Sequence, residues 1–212
     1  MDGISSELTL VRHGETVGNS AVRLYGSTDV ELSDLGRSQM CCVKAALAGL
    51  VVDRMWVSPL ARSAESGDIV LSSGWPRPQS IEDFREIDFG QWEGLTAAEV
   101  MQRDTEAYDL WKSGVEDWRF PGGDSRKGFA DRVRSAAERL FGEADGLHVA
   151  VLHKGVVKTI IGVLTGLSHD SYSRIPCELG SVHRLVRGDA GWQLVSGCEV
   201  HHLGGDRLAA SR

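Results

Sequence analysis

The sequence predicts a single domain of the α/β class, folded as a three-layer α/β/α sandwich around a mostly parallel central sheet. Short apolar, β-prone runs alternate along the chain with longer segments whose apolar residues recur at helical spacing. The length of 212 residues suits one domain with an elaborated subregion, and 42% hydrophobic with 25% charged residues is ordinary for a globular protein. We therefore expect residues 1–212 to form one domain.

The first third of the chain supplies two strands and two helices. Residues 7–12 form a short apolar run that leads into a glycine-bearing segment, which is typical of a buried strand. Residues 33–48 are predicted as a helix, because a capping serine precedes apolar residues at helical spacing. Residues 54–58 form the second strand, which Pro59 ends, and a helix follows over residues 60–71.

The middle of the chain changes in character before the alternation resumes. Residues 80–84 form a weaker strand. Residues 85–125 hold several aromatic and acidic residues and a Pro-Gly-Gly break, which predicts an excursion of loops and short helices where substrate specificity resides. A helix over residues 125–141 follows, and a strand over residues 148–152 then leads directly into an apolar helix over residues 156–167.

The last part of the chain is predicted to close the sheet. Residues 182–186 and 192–195 form two strands around a Gly-Asp-Ala-Gly turn. Residues 198–212 form a polar tail that we expect to be mobile at its end. His201 and His202 resemble a metal-binding pair only superficially, and we favour the interpretation that they belong to the solvated tail.

The composition narrows the class of partner and the compartment. A formal net charge of −7 disfavours nucleic acid as a partner, and an anionic substrate would require positive charge to be concentrated in one cleft. The four cysteines lack zinc or redox spacing, so we expect free thiols in a reducing cytosol. No apolar run reaches membrane-spanning length and no secretory signal is visible, so we expect a cytoplasmic protein without membrane partners.

Charged side chains and histidines follow the predicted strands at the point where each strand ends. Arg12 and His13 follow the first strand, Arg62 the second, Glu86 the weak third and His153 the fourth. In an open α/β sheet, ligands bind outside the carboxyl ends of the strands, so we expect these five side chains at one edge. They would form the local cationic cluster that an acidic protein needs for an anionic substrate.

These residue types fit phosphoryl transfer from a phosphate monoester. Enzymes accelerate the hydrolysis of such esters by up to about 10²¹-fold, chiefly through positioning and electrostatics. Arginine makes bidentate contacts with phosphate, and a neutral imidazole can attack phosphorus to form a phosphohistidine. Neighbouring arginines would keep that imidazole unprotonated, and a carboxylic acid would protonate the leaving oxygen. Gly14 would let the backbone pass close to the phosphate, and a helix beginning near Lys154 and Gly155 would direct free N–H groups toward it.

Five segments of the sequence carry motifs that belong together. Residues 10–16 read L-V-R-H-G-E-T and are followed by Asn19. A lone R-H-G is a weak signal. The other segments are G-S-T-D-V-E-L-S-D-L-G at 26–36, S-P-L-A-R-S at 58–63, R-E-I-D-F-G-Q-W-E-G at 85–94 and V-L-H at 151–153. Together, and in this order from residue 8 to about residue 160, they resemble the histidine phosphatase superfamily, whose fold is phosphoglycerate-mutase-like.

The resemblance implies a role for each residue at the predicted sheet edge. His13 is the implied nucleophile, and Arg12, Arg62 and His153 form the implied catalytic phosphate pocket. Asn19 is implied as a further contact to the phosphate or as a residue that orients the backbone. The superfamily needs no metal, so the resemblance implies neither a metal ion nor a cofactor.

Three further charged residues are candidates for the site. Glu86 is the implied proton donor, with Asp88 and Glu93 as competing acids on the same segment. Lys154 stands where the family usually has glycine, and it is a candidate substrate contact through its backbone N–H or its ammonium group. Arg23 is either a cation on the substrate side or an exposed loop residue.

The flanks of the two histidines favour the phosphatase branch of the superfamily. Thr16-Val17-Gly18-Asn19 and His153-Lys154-Gly155 differ from the mutase patterns R-H-G-[EQ]-S-x-W-N and H-G-N, and the longer mutase insertion is missing. We therefore predict a metal-independent phosphomonoesterase that hydrolyses a small phosphorylated metabolite through a phosphohistidine. The alternatives are a cofactor-dependent, phosphoglycerate mutase-type phosphotransfer and a catalytically inactive phospholigand sensor.

Three questions are left open at this stage. The sequence does not identify the ester. Trp111, Trp118 and Phe120 either line a substrate pocket or pack the excursion. A homodimer formed through an edge strand is possible.

Overall fold

The structure, a computed structural model, describes residues 6–115 and 118–204. Within these residues, six strands form one sheet in the order β3-β2-β4-β1-β5-β6. The strands are β1 (Ser6–Arg12), β2 (Arg54–Val57), β3 (Gln79–Ser80), β4 (Gly146–Leu152), β5 (Val182–Gly188) and β6 (Gly191–Glu199). The pairs β2–β3, β2–β4 and β1–β4 are parallel, whereas β1–β5 and β5–β6 are antiparallel. The predicted mostly parallel sheet with a closing strand pair is therefore confirmed.

Helices connect the parallel strands, as the sequence predicts. They are α1 (Asp34–Ala46), α2 (Ala61–Val70), α3 (Ala97–Arg103), α4 (Thr105–Lys112), α5 (Arg126–Phe141), α6 (Lys154–Thr165) and α7 (His169–Tyr172). Short 3-10 helices cover Glu82–Phe84, Gly90–Trp92 and His201–Leu203. The Ser33 hydroxyl caps α1 as predicted, because its oxygen accepts the Gly36 N–H at 3.1 Å.

Helices cover both faces of the sheet, which confirms the three-layer α/β/α architecture. On one face, Leu8 and Leu10 of β1 belong to an apolar cluster with residues of α5 and α6. On the other face, Val11 belongs to a second cluster that includes Met40 and Val43 of α1. Because successive side chains of a strand point to opposite faces, β1 is held from both sides up to its carboxyl end.

The weak third strand differs from its prediction. The sequence predicts a strand over residues 80–84, but β3 is two residues long and Glu82–Phe84 forms a 3-10 helix. The turn buries Phe84, whose ring stacks on Phe141 of α5 with a centroid distance of 6.0 Å. Packing against α5 thus takes precedence over the local strand propensity.

Two other boundaries also differ from the prediction. Helix α6 begins at Lys154, immediately after His153, rather than at residue 156. The predicted tail is ordered as far as it is described, because β6 extends to Glu199 and Leu203 of the following 3-10 helix is buried. Residues 205–212, where a mobile end is predicted, lie outside the described residues. None of the helices in the described ranges is long and apolar enough to cross a membrane.

Candidate active site

The carboxyl ends of β1 and β4 bring two histidines together. The His13 N–H donates to the Leu152 carbonyl at 2.9 Å, which continues the pairing of these parallel strands by one residue. His153 follows Leu152 as the residue that precedes α6. The two imidazole rings meet edge to face with a centroid distance of 5.2 Å, and both are buried. The parallel pairing therefore places two residues that are distant in sequence in one site.

The surroundings of His13 determine its tautomer and its charge. Its Nδ1 lies 2.7 Å from the Gly14 carbonyl oxygen, which can only accept a hydrogen bond, so Nδ1 carries the proton and Nε2 has a free lone pair. Burial lowers the pKa of His13 well below its ordinary value of 6.5, and the charges of Arg62 and Arg12 lower it further. At neutral pH this imidazole is therefore unprotonated, with the lone pair of Nε2 available.

His153 is buried without a hydrogen-bond partner on either ring nitrogen within the described chain. Burial lowers its pKa well below 6.5, with further contributions from the charges of Arg62 and Arg12. The Nε atoms of Arg12 and Arg62 are also buried without a partner in the same residues. Since buried polar groups are normally hydrogen-bonded, such unsatisfied groups around His13 mark a place where a ligand completes the bonding.

Arg62 is oriented by a loop that has its own anchor. Arg62 lies in the first turn of α2 and is fully buried, and its guanidinium donates to the Thr28 carbonyl at 2.9 Å and the Gly26 carbonyl at 2.7 Å. The Glu93 carboxylate accepts the N–H groups of Gly26, Ser27 and Thr28 at 3.0 to 3.2 Å. Glu93 therefore orients the loop that orients Arg62.

Glu86 is the acid that faces the cavity from the 85–94 segment. It lines the cavity together with His13, whereas Asp88 and Glu93 do not. Asp88 instead accepts the Ser27 hydroxyl, at 2.9 Å. The Glu86 carboxylate accepts the Ile87 N–H at 3.0 Å and the Gly155 N–H at 2.8 Å. Of the three candidate acids, Glu86 is thus the one positioned to exchange a proton with a bound ester.

One expectation about a backbone contact is wrong, and another stays a prediction. The Gly155 N–H, which we expect from the sequence to face the phosphate, donates to Glu86 instead. Gly14 has an additional packing role, because a Cβ atom there would lie 2.5 Å from the Gly36 carbonyl oxygen. Gly14 therefore permits the loop after β1 to approach the backbone of α1 closely.

The remaining predicted contacts divide into two groups. Lys154 and Arg23 line the cavity, although the Arg23 guanidinium is also engaged by the Gly94 carbonyl at 2.6 Å and by Glu99 at 3.1 Å. Asn19 is exposed and does not line the cavity. Its φ of 63° and the acceptance of the Arg23 N–H by its carbonyl turn the backbone, which favours the backbone-orienting role over a phosphate contact.

The cavity above His13 has a volume of about 310 Å³. Its walls are formed by Arg12, His13, Ser20, Ala21, Val22, Arg23, Leu24, Tyr25, Glu86, Phe89, Lys154, Glu178 and Leu179. Glu178 and Leu179 are among the wall residues that the sequence does not predict, because no motif marks the segment that precedes β5. Trp111, Trp118 and Phe120 pack around Trp92 with centroid distances of 5.5 to 5.8 Å and do not line the cavity. These aromatic residues therefore pack the excursion.

A buried neutral imidazole, two arginines and a second histidine at the carboxyl edge of a largely parallel sheet define a phosphoryl-transfer enzyme. The chain belongs to the histidine phosphatase superfamily (branch 1), whose family model matches residues 8–199. This match confirms the family that the sequence motifs indicate. It also confirms the prediction that the protein is a phosphoric monoester hydrolase. Among the described residues, no cluster of His, Cys, Asp and Glu could hold a metal ion.

Two relatives and one solved structure align with most of this chain. Phosphoglycerate mutase-like protein 4 of Arabidopsis thaliana is 30% identical, over 96% of this chain and 94% of its own length. Glucosyl-3-phosphoglycerate phosphatase of Mycolicibacterium vanbaalenii is 30% identical, over 90% of this chain and 84% of its own length. The crystal structure of a putative alpha-ribazole-5'-P phosphatase from Escherichia coli superposes with a TM-score of 0.81 at 25% identity, covering 92% of this chain and 97% of that one.

Proposed function

We propose that this protein is a metal-independent phosphomonoesterase that hydrolyses a small phosphorylated metabolite through a phosphohistidine on His13. One observation carries the proposal. The Nδ1–H of His13 is committed to the Gly14 carbonyl at 2.7 Å, so the lone pair of Nε2 is available to phosphorus in the cavity. Arg12 and Arg62 supply positive charge for the phosphate oxygens.

The first half of the reaction transfers the phosphoryl group to the enzyme. The ester phosphate binds in the cavity beside Arg12 and His13. Arg62 and His153 are not part of the cavity wall, and each has buried nitrogen atoms without a hydrogen-bond partner among the described residues. Nε2 of His13 then bonds to phosphorus, and the bond from phosphorus to the leaving oxygen breaks. Glu86 gives a proton to that oxygen, and the alcohol leaves.

The second half of the reaction regenerates the enzyme. A water molecule adds to phosphorus while Glu86, now ionised, accepts the proton of that water. The bond between phosphorus and Nε2 breaks, and inorganic phosphate leaves. The phosphatase and the mutase differ at this step, because a mutase returns the phosphoryl group to a second alcohol oxygen. The name of the Arabidopsis relative keeps phosphoglycerate mutase-type transfer as the second candidate.

Radiolabelled ester in a rapid-quench experiment tests the proposal. The label should appear on His13, be stable in base, be labile in acid and end as inorganic phosphate, with full turnover in EDTA. A His13→Asn protein should take up no label, and its circular dichroism spectrum serves as the control for folding. Loss of wild-type turnover in EDTA would refute metal independence. Fast isomerisation of 3-phosphoglycerate with 2,3-bisphosphoglycerate present, and without phosphate release, would establish the mutase.

A further inference from the structure

The segment that precedes β5 is fastened to the residues that carry the chemistry. The Gly180 N–H donates to the carbonyls of Arg12 and His13 at 3.2 and 3.3 Å, and the Arg12 N–H donates to the Ser181 carbonyl at 3.0 Å. The Arg12 guanidinium donates to the Cys177 carbonyl at 2.8 Å. These bonds fix the position of the intervening residue, Glu178, relative to the phosphate site.

Glu178 is an acidic residue in the cavity wall. Its neighbours Cys177 and Leu179 are buried, whereas Glu178 itself is exposed and forms part of the cavity wall. Over residues 6–115 and 118–204, the Glu178 carboxylate has neither an ion-pair partner within 4.0 Å nor a hydrogen-bond donor. Lys154 lines the same cavity and does not form an ion pair with it.

A second carboxylate in this cavity requires an explanation, because the substrate is an anion. Like charges repel each other, so an acid near the phosphate would weaken binding, and the exposure of Glu178 to water only moderates this effect. Such an acid becomes favourable for binding where the substrate brings it a hydrogen-bond donor or a positive charge. Because no described residue pairs with Glu178, its carboxylate is available to the non-phosphate end of the substrate.

We propose that Glu178 is a specificity-determining residue that accepts a hydrogen bond from a hydroxyl or ammonium group on the leaving alcohol. The inference rests on the proposed phosphomonoesterase function and extends it to a substrate class. Preferred substrates are phosphate esters of small polar alcohols that carry such a donor. Esters whose leaving group ends in a methyl group gain nothing from Glu178.

Three esters of nearly equal size test this proposal, namely 2-aminoethyl, 2-hydroxyethyl and n-propyl phosphate. We expect the wild-type kcat/KM to be about tenfold or more higher for each donor-bearing ester than for n-propyl phosphate. Glu178→Gln retains an accepting oxygen but no charge, so the advantage of the ammonium ester should fall while that of the hydroxyl ester persists. Glu178→Leu should remove both advantages.

The ratios of kcat/KM within one preparation do not depend on the fraction of folded enzyme, so a partly unstable variant still gives a valid answer. Glu106→Gln makes the same charge change on α4, away from the cavity, and should leave both ratios at their wild-type values. If His13 is phosphorylated but the kcat/KM ratios of both Glu178 variants equal those of the wild type, the role of Glu178 is overturned. The proposed function would then still hold. Absence of both turnover and phospho-His13 in the wild type would overturn the proposed function, and the role of Glu178 with it.

Discussion

The carboxylate of Glu86 accepts the backbone N–H of Gly155 at a distance of 2.8 Å. This hydrogen bond connects the loop after the Glu82–Phe84 turn with the start of α6, two residues beyond His153. The proton donor of the proposed reaction is therefore positioned by the same helix terminus that positions the second histidine.

Replacing the proton donor should affect esters according to how much their leaving oxygen needs a proton. We expect Glu86→Gln to lower kcat/KM for an alkyl phosphate by roughly 10²- to 10⁴-fold. The loss should be much smaller for p-nitrophenyl phosphate, because nitrophenolate leaves without protonation. The ratio of kcat/KM between the two esters measures the effect. Equal losses for both esters would assign Glu86 to binding or structure instead of proton transfer.

A methyl group at residue 155 should disturb the site without unfolding the protein. The Cβ atom of Gly155→Ala would overlap Oε1 of Glu86 and lie 3.2 Å from the Phe129 ring. Because a carboxylate at the end of a flexible side chain can move away, we expect a loss of kcat on alkyl phosphates with little change in Tm. Gly197→Ala is the matched control, since its Cβ would have contacts no closer than 3.6 Å. A large fall in Tm for Gly155→Ala would contradict the prediction.

The protonation of His13 should be visible by ¹⁵N nuclear magnetic resonance. Burial and the charges of Arg62 and Arg12 lower the pKa of His13, so the ring stays neutral as the pH falls through 6.5 and is protonated only at lower pH. We expect the acid limb of kcat/KM to lie below pH 6.5 for the same reason. The spectrum at pH 7 should show a protonated Nδ1 and an unprotonated Nε2. A ring that titrates at or above 6.5 would contradict this assignment.

His183 should make the stability of the protein depend on pH. Its Nδ1 accepts the Cys198 N–H at 3.1 Å and its Nε2 lies 3.1 Å from the Ser181 hydroxyl. Burial lowers the pKa of His183 to about 4. Below pH 6.5 the unfolded chain binds a proton on His183, whereas the folded protein does not. The contribution of the neutral ring to stability is therefore complete above pH 6.5 and is lost as the pH falls from 6.5 to 4.

The size of this effect follows from a pKa of about 4 in the folded protein against 6.5 in the unfolded chain, which corresponds to about 3 kcal/mol. We expect His183→Asn to reduce the fall in the free energy of unfolding between pH 6.5 and 4 by up to that amount. Urea denaturation of both proteins at each pH measures it. The difference between the two free energies of unfolding at pH 8 measures the effect of altered packing and is subtracted. Other buried histidines contribute equally to both proteins, so their effects cancel. An identical pH dependence of the two proteins would show that His183 does not titrate as described.

The sequence was sufficient to predict which residues meet at the sheet edge. Arg12 ends β1, His13 and His153 follow β1 and β4, and Arg62 lies in the helix after β2. The carboxyl ends of these parallel strands lie together. Apolar periodicity also predicted most helices within two residues. It failed at residues 80–84, where burial of Phe84 against α5 decides the conformation.

Contacts made by unmarked loop residues were beyond prediction. Glu178 reaches the cavity because hydrogen bonds join Gly180 and Ser181 to Arg12 and His13, more than 160 residues away in the chain. Such pairings follow from the antiparallel addition of β5 to β1 and leave no local pattern. The choice among the acids of residues 85–94 has the same origin, because it depends on which loop each carboxylate contacts.

The loop anchored by Glu93 has a consequence for how the phosphate is bound. The carbonyls that hold the Arg62 guanidinium are fixed by a carboxylate about 65 residues further along the chain, so the conformational entropy of this arginine is already lost in the folded state. Arg62 is fully buried and is not part of the cavity wall, so it attracts a phosphate in the cavity through its charge and does not have to be ordered on binding. More of the attraction between phosphate and guanidinium is then available to stabilise the charge that develops in the transition state.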